Sequence, residues 1–460
     1  MALPDGVVDA LQEIVGFDGI RLAPGDLAAY GRDATPLFEA QPDIVVFPRT
    51  TEQVSAVLRL ATEHRVPVVP RGAGSNLCAA TVPLSGGIVL ALTRMTRILE
   101  ISGDELLARV QPGVTTARLA DAVAAQGLLY VADPGSRTTS TVGGNVATCA
   151  GGLRGLKYGV TRNYVLGLEA VLPTGEVIRT GGRLWKDVAG YDLTRLLTGS
   201  EGTLAVITEV TVALLPKPAE TGTGVAYFES LSDACRAVAS IISAGIVPAM
   251  LEFLDQKCIS AVEEYARLGL RRDAGALLLF GDDGPIEVVA GNLVRLRKIC
   301  TEEGALEVTL ADDVARSDAL LAARRCSLPA LSRLASLTIL EDVTVPRPRL
   351  AEMVDHIDEI ATRFNLRIAT FGHAGDGNLH PTCVLDPEDE EAVERAHKAF
   401  AEIFATAIRL DGTITGEHGV GAAKLPFLAD RLGTDQVRLL GRIKAAFDPA
   451  GILNPGKVGS

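Results

Sequence analysis

The chain has 460 residues, 47% hydrophobic and 22% charged, with a net charge of −13 and only 4% aromatics. That length exceeds what one hydrophobic core serves, so two or three domains are expected. The acidic balance and the scarcity of aromatic rings argue against a phosphate-backbone or single-strand binder, and no nucleic-acid partner is expected.

Seven cysteines (Cys78, Cys149, Cys235, Cys258, Cys300, Cys326, Cys383) are irregularly spaced, with no Cys-x-x-Cys pair. That argues against a zinc knuckle or an iron–sulfur cluster on this chain, and reduced thiols fit a cytoplasmic setting. Met1 to Gly16 has no basic stretch leading into an apolar run, so no signal peptide is expected. No uninterrupted apolar stretch of about 18 residues occurs, so no transmembrane helix is expected.

In chain order, residues 44–47 read as a short strand. Thr51 then stands as a helix cap before Val54, Val57, Leu58 and Ala61 at helical spacing. Residues 66–69 form the next strand, completing a strand–helix–strand unit that closes on Pro70-Arg71-Gly72-Ala73-Gly74-Ser75-Asn76. Strands follow at 88–92, 98–101 and 108–111, then a helix at 116–126 and a hairpin around Pro173-Thr174-Gly175. At Pro216-Lys217-Pro218 longer helical patterns take over, and a boundary is expected there. Helices are expected at 230–245, 286–302, 314–334, 348–364 and 397–409, with a strand at 276–280; the class is α+β.

Two glycine-rich segments in the first half suit a phosphorylated ligand. Residues 70–76 follow a strand directly, and their small side chains let successive N–H groups face anionic oxygens. Residues 133–152 include Pro134, Gly135, Ser136, Thr139, Gly143, Gly144, Asn145 and Gly151, offering hydroxyls, amides and close approach. Neither matches Gly-x-Gly-x-x-Gly opening a helix, nor the Lys-Ser/Thr phosphate loop, which disfavours nicotinamide dinucleotides and ATP. Either segment alone is equally a tight turn; together they point to an extended dinucleotide.

Three of the six histidines fall in two short stretches, Phe371-Gly-His373-Ala-Gly-Asp376-Gly-Asn378-Leu-His380 and Gly416-Glu417-His418-Gly419. Each glycine costs a helix about 1 kcal/mol, so 373–380 is no helix, and a turn there brings both imidazoles to one point. His373, His380 and Glu417 make a three-ligand metal set with an open position, and His418, projecting differently on an extended chain, suits a base. Alone, that constellation serves hydrolysis or redox chemistry equally well. His64, His356 and His397 lie on polar helix faces and read as solvated.

The stretches 70–76, 133–152, Lys157-Tyr158-Gly159, Gly190-Tyr191-Asp192-Leu193 and Gly199-Ser200-Glu201-Gly202-Thr203-Leu204-Ala205-Val206-Ile207-Thr208 resemble the FAD-binding domain of the vanillyl-alcohol oxidase/p-cresol methylhydroxylase superfamily. That resemblance implies the two glycine-rich loops at the FAD pyrophosphate and Gly202, Val206 and Ile207 at adenine and ribose. It also implies that the 447–457 tail, with Asn454, returns to this domain. Covalent members carry a histidine after the Arg-Gly pair; Ala73-Gly74-Ser75 stands here, so FAD is expected without a covalent link. Cys78-Ala79-Ala80 stands where relatives often have Ser-Gly-Gly, which implies a stiffer loop exit.

With Arg324 and Asp342-Val343-Thr344-Val345-Pro346, the histidine segments resemble the C-terminal domain of FAD-linked 2-hydroxyacid dehydrogenases. These include D-lactate and D-2-hydroxyglutarate dehydrogenases and the FAD subunit of bacterial glycolate oxidase. The resemblance implies zinc or manganese on His373, His380 and Glu417, His418 as base, and Arg324 (alternatively Arg325) and Thr344 at the substrate. Enzymes for the dicarboxylate carry a lysine two residues before the aspartate matching Asp342, where Leu340 stands here, which favours a small D-2-hydroxy acid. Electrons then leave to a quinone, a cytochrome, an electron-transferring flavoprotein or an iron–sulfur subunit, and one reading is a subunit inactive alone. The expected division is FAD domain 1–218, substrate domain 219–415 and a returning segment 416–460; homodimerisation and peripheral attachment to the inner membrane are both admitted.

Overall fold

Short apolar runs punctuated by proline and glycine set the strands of the first half. The computed structural model describes residues 3–460; Met1 and Ala2, the first residues of the stretch in which no signal peptide is expected, lie outside the described residues. The chain divides into two units, one of Met1–Gly151, Val160–Lys217 and Glu417–Ser460, the other of Gly152–Gly159 and Pro218–Gly416.

In the first unit, Ile44–Val46, Ile88–Ala91 and Val68–Arg71 run parallel, with Ile88–Ala91 in the middle and Ile20–Arg21 antiparallel at one edge. Helix Thr51–His64 joins the first two of these in sequence and buries Val54, Val57, Leu58 and Ala61 in their core. Each of the valines and the leucine contributes about 1.5–3 kcal/mol on burial, and Ala61 less. Thr50, not Thr51, is the cap. Thr50 is extended and its hydroxyl accepts from Gln53 N, whereas the Thr51 hydroxyl bonds Glu169 Oε1 at 2.7 Å.

A second, antiparallel sheet orders Ile98–Ser102, Leu107–Val110, Val206–Ala213, Val165–Val171 and Val177–Gly181, the last two forming the expected hairpin. Helix Thr116–Ala124 packs Leu119 and Val123 into its core. The tail pairs with the first sheet: Val68 N donates to Ile452 O at 2.8 Å, and Asn454 N donates to Val68 O at 2.7 Å.

The second unit rests on one antiparallel sheet. Its order is Glu307–Leu310, Glu220–Phe228, Ala276–Gly284, Met250–Asp255, Ile368–His373, Asn378–Leu385 and Leu337–Leu340, with Val343–Thr344 also pairing to Asn378–Leu385. Helices Leu231–Ser243, Ile286–Glu302, Leu350–Arg363 and Glu390–Arg409 bury apolar residues in this unit.

Three elements differ from expectation. The last of those helices begins at Glu390 rather than 397, because Asp389 caps Ala392 N at 2.9 Å. The helix expected over 314–334 breaks at Cys326 into Val314–Arg325 and Ser327–Leu331; Pro329 has no N–H and fits only a first helical turn. The 133–152 segment, read as loop, contains helix Val142–Thr148, capped by Thr141 Oγ1 accepting from Gly144 N at 3.2 Å. The class is α+β as expected, and no described helix is long and apolar enough to cross a membrane.

Candidate active site

In the first unit, Pro70 and Arg71 end the strand Val68–Arg71. Among the described residues, the N–H groups of Ala73, Gly74, Ser75, Asn76 and Leu77 donate to no backbone carbonyl, leaving a run of adjacent donors of the kind that holds anions. Arg71 supports the loop from below: its Nη1 donates to Arg32 O at 2.6 Å and its guanidinium lies over the Tyr30 ring, with burial lowering its pKa. A side chain at Gly74 would strike that guanidinium, and its φ of +73° favours glycine.

The two glycine-rich segments meet, since a Cβ on Gly72 would collide with Thr141 Oγ1. Pro134, Gly135, Ser136 and Thr139 form a turn in which Arg137 N bonds Pro134 O at 3.0 Å and Thr139 N bonds Ser136 O at 2.8 Å. Gly143 lets its helix pack on Pro112, and Asn145 turns inward, donating to Thr116 Oγ1 at 2.8 Å. Gly202 packs on Pro70, and Val206 and Ile207 open their strand buried. Asn454 donates through Nδ2 to Ala80 O at 3.0 Å and Glu201 O at 2.8 Å, while its buried Oδ1 has no partner among the described residues. Open donors, apposed loops and a spare buried acceptor together fit a dinucleotide cofactor.

Glu417 and His418 also belong to the first unit. The chain bends at Gly416–His418 instead of running extended, so the two side chains do not alternate: Glu417 Oε1 lies 4.0 Å from His418 Nε2. A Cβ on Gly151 would come within 2.6 Å of Glu417 Oε2. Sequence reading missed what holds this bend. Glu201 Oε1 accepts from Val420 N and Oε2 from Gly421 N, each at 2.7 Å. Burial raises the Glu201 pKa despite those bonds.

In the second unit, Ile368–His373 and Asn378–Leu385 form the anticipated hairpin, with His373 opposite Asn378 and Phe371 opposite His380. His373 lies two residues from Phe371, so both imidazoles share one sheet face. Their ring centroids are 5.2 Å apart at 89°, and their exposures are 6% and 2%, so both are buried. By contrast His64 and His397 are exposed, and half-buried His356 bonds Glu359.

Buried carboxylates stand behind the hairpin. Glu252 Oε1 lies 2.7 Å from His373 Nδ1, and Asp342 Oδ1 lies 3.8 Å from His380 Nδ1. Carboxylates beside the ring nitrogens of paired histidines are what orients imidazoles as metal ligands, so the residue types gathered here fit a divalent ion. Asp342 also accepts from Asn378 Nδ2, from Thr415 Oγ1 at 2.7 Å and from Gly416 N at 2.8 Å, anchoring the residue before Glu417. Thr344 Oγ1 accepts from Asn378 Nδ2 at 3.0 Å and packs against Gly416. Arg324 is buried in the last turn of its helix, its Nε donating to Glu252 Oε2 at 2.6 Å and its guanidinium 4.8 Å from the Phe371 ring. Glu252 escaped sequence reading, although a lone charge inside the apolar run Met250–Leu254 was its signal.

A family model described as FAD binding domain matches residues 42–181, and one described as FAD linked oxidases, C-terminal domain, matches residues 217–458. The chain belongs to the FAD-linked oxidase family and is an FAD-dependent oxidoreductase. It is similar to glycolate oxidase subunit GlcD of Bacillus subtilis (strain 168), 52% identical over 98% of this chain and 96% of that protein. It is also similar to D-lactate dehydrogenase of Anaerostipes hadrus, 36% identical over 94% of this chain and 91% of that one. Among solved structures, p-cresol methylhydroxylase has the same fold, with a TM-score of 0.83 at 18% identity over 100% of this chain and 99% of its own. The resemblance read from the sequence is thus the family found by comparison.

Proposed function

We propose that the chain oxidises a small D-2-hydroxy acid of the lactate or glycolate type to the 2-oxo acid and passes the electrons to a separate acceptor. The observation that carries this is the facing pair His373 and His380, backed by carboxylates, in the unit that also holds the buried Arg324. The names of the relatives, glycolate oxidase subunit and D-lactate dehydrogenase, support the substrate class.

In this reading the first unit holds FAD non-covalently, since Ala73-Gly74-Ser75 offers no imidazole for attachment. The second unit binds substrate. His373, His380 and Glu417 hold zinc or manganese. When bound, the ion acidifies the substrate hydroxyl and the flavin takes up hydride. Arg324 clamps the substrate carboxylate; Nε is taken by Glu252, and the remaining N–H groups of its fork suit a carboxylate. Thr344 lines the same region, and the His418 imidazole accepts the hydroxyl proton. Glu201 holds the backbone after His418 and so fixes where that base stands. Leu340, buried at 7%, offers no cation for a second carboxylate, which disfavours a 2-hydroxyglutarate substrate.

A second reading, a subunit that turns over only with partner chains, is favoured by the word subunit in the GlcD names. The proposed place of action is the cytoplasm or the inner face of the membrane, where a quinone, cytochrome, flavoprotein or iron–sulfur partner is at hand. A panel of D- and L-2-hydroxy acids with an artificial dye acceptor tests both readings. Turnover with D-lactate or glycolate by the isolated chain supports the first. Turnover only after adding partner chains supports the second, and reduction by none of the acids under either condition contradicts both.

A further inference from the structure

Glu252 is a carboxylate at 1% exposure on the strand Met250–Asp255. Burying such a charge costs several kcal/mol unless it is paired and hydrogen-bonded. Its two oxygens serve different residues: Oε2 accepts from Arg324 Nε at 2.6 Å, and Oε1 meets His373 Nδ1 at 2.7 Å. Backbone register enforces one contact, since Glu252 lies directly opposite His373 across the antiparallel pair. Helix Val314–Arg325 delivers the other, with the guanidinium also stacked at 4.8 Å over Phe371, which stands opposite His380.

We infer that Glu252 is a positioning residue shared by the metal ligand His373 and the substrate clamp Arg324, so that metal affinity and substrate-carboxylate binding depend on one carboxylate. This rests on the proposed function. A carboxylate accepting Nδ1–H holds His373 in the tautomer whose lone pair is on Nε2, the form that binds a metal. The same carboxylate turns the guanidinium so that Nε faces inward and the Nη edge faces substrate. An amide cannot replace it. Glutamine offers one acceptor and one donor group; with its oxygen on Arg324 Nε–H, its NH2 faces Nδ1 and favours the His373 tautomer protonated on Nε2, which has no lone pair there for a metal. A carboxylate present only to neutralise Arg324 would affect folding but not the metal.

The test uses the full chain with FAD bound, stripped of metal by chelation, and titrated with Zn²⁺ by calorimetry. Glu252→Gln should weaken Zn²⁺ binding by about 10–100-fold. At saturating Zn²⁺ it should also raise KM for D-lactate by about tenfold, the size of one lost charge-assisted contact. Arg324→Leu, which removes no metal ligand, should still weaken Zn²⁺ binding at least about threefold, because Glu252 loses the partner that orients it. Flavin content and melting curves report the folding of each variant, and Arg324→Leu carries the test if Glu252→Gln does not fold. Zn²⁺ affinity within about twofold of the parent in Arg324→Leu overturns the sharing, as does Glu252→Gln with a lowered melting point and unchanged Zn²⁺ binding. A parent chain that binds no Zn²⁺ overturns the metal reading and this inference together; a parent that binds it, with both variants unchanged, overturns this inference alone.

Discussion

Glu201 and Gly421 are joined by a 2.7 Å hydrogen bond from the Gly421 N–H to Glu201 Oε2, and the neighbouring Val420 N–H takes the other oxygen at the same distance. The carboxylate thereby pins the backbone two and three residues beyond His418. Nearby, Gly421 has no room for a side chain, since a Cβ would strike Cys78 O. The proposed base thus sits on a backbone fixed at two points within the first unit.

Removing that base should leave the cofactor in place. His418→Ala is expected to purify yellow but to lose about 10²–10⁴ in the rate of flavin reduction by substrate, the usual contribution of a positioned proton acceptor. Stopped-flow reduction at the parent rate would contradict the assignment of His418.

Glu201→Ala leaves the buried Gly421 N–H and the half-buried Val420 N–H without their acceptors and should cost about 1–3 kcal/mol, chiefly through the Gly421 group. Urea unfolding measures the loss. Slower flavin reduction is expected with it, because the bend carrying His418 loosens. Unchanged stability would show that those amides find other partners.

Lys457, fully buried with Nζ donating to Val82 O at 3.0 Å, has its pKa lowered by burial to about 8. Its unfolded value lies near 10.5. Between those values the unfolded chain binds more protons than the folded one, so this group's contribution to stability rises with pH from about 8 toward 10.5. Below pH 8 its full cost is present. Relative to Lys457→Met, the parent should therefore gain on the order of 1 kcal/mol between pH 7 and 9.5. Parallel denaturation curves at the two pH values check the sign, and a parent that loses ground would refute it.

Ala79 sits at φ +57°, a conformation that disfavours any side chain, and its N–H donates to Thr35 Oγ1 at 2.6 Å. The left-handed region costs a non-glycine residue about 1–2 kcal/mol, partly offset by the entropy glycine adds to the unfolded chain. Ala79→Gly should therefore be neutral or stabilise by up to about 1 kcal/mol, whereas Ala80→Gly, outside that region, should destabilise by about 0.4–1 kcal/mol. Thermal melts of both variants give the contrast, and the reverse order would contradict the backbone account.

Much of this was legible from local pattern. The glycines of 372–377 exclude a helix and allow the turn that brings His373 and His380 together, while the register that pairs Phe371 with His380 puts both imidazoles on one face. Glu252 was hidden because its partner lies 121 residues away, and pairing of Met250–Asp255 with Ile368–His373 is a tertiary fact. Helix Val142–Thr148 was hidden for a different reason. Two glycines disfavour it locally, but the Thr141 cap and the close packing of Gly143 on Pro112 outweigh that propensity. The bend at Glu417–His418 likewise depends on Glu201, more than two hundred residues earlier in the chain. Local spacing identified the chemistry, and long-range carboxylates determine how it is oriented.

The central claim is that a metal on His373, His380 and Glu417 activates a 2-hydroxy acid for oxidation by FAD. The most direct measurement is anaerobic reduction of the bound flavin by D-lactate or glycolate in chain stripped by a chelator, then reloaded with Zn²⁺ or Mn²⁺. The account predicts loss of oxidised-flavin bleaching on stripping and recovery on reloading, with neither in His373→Ala. Full-rate bleaching in metal-free chain would contradict it.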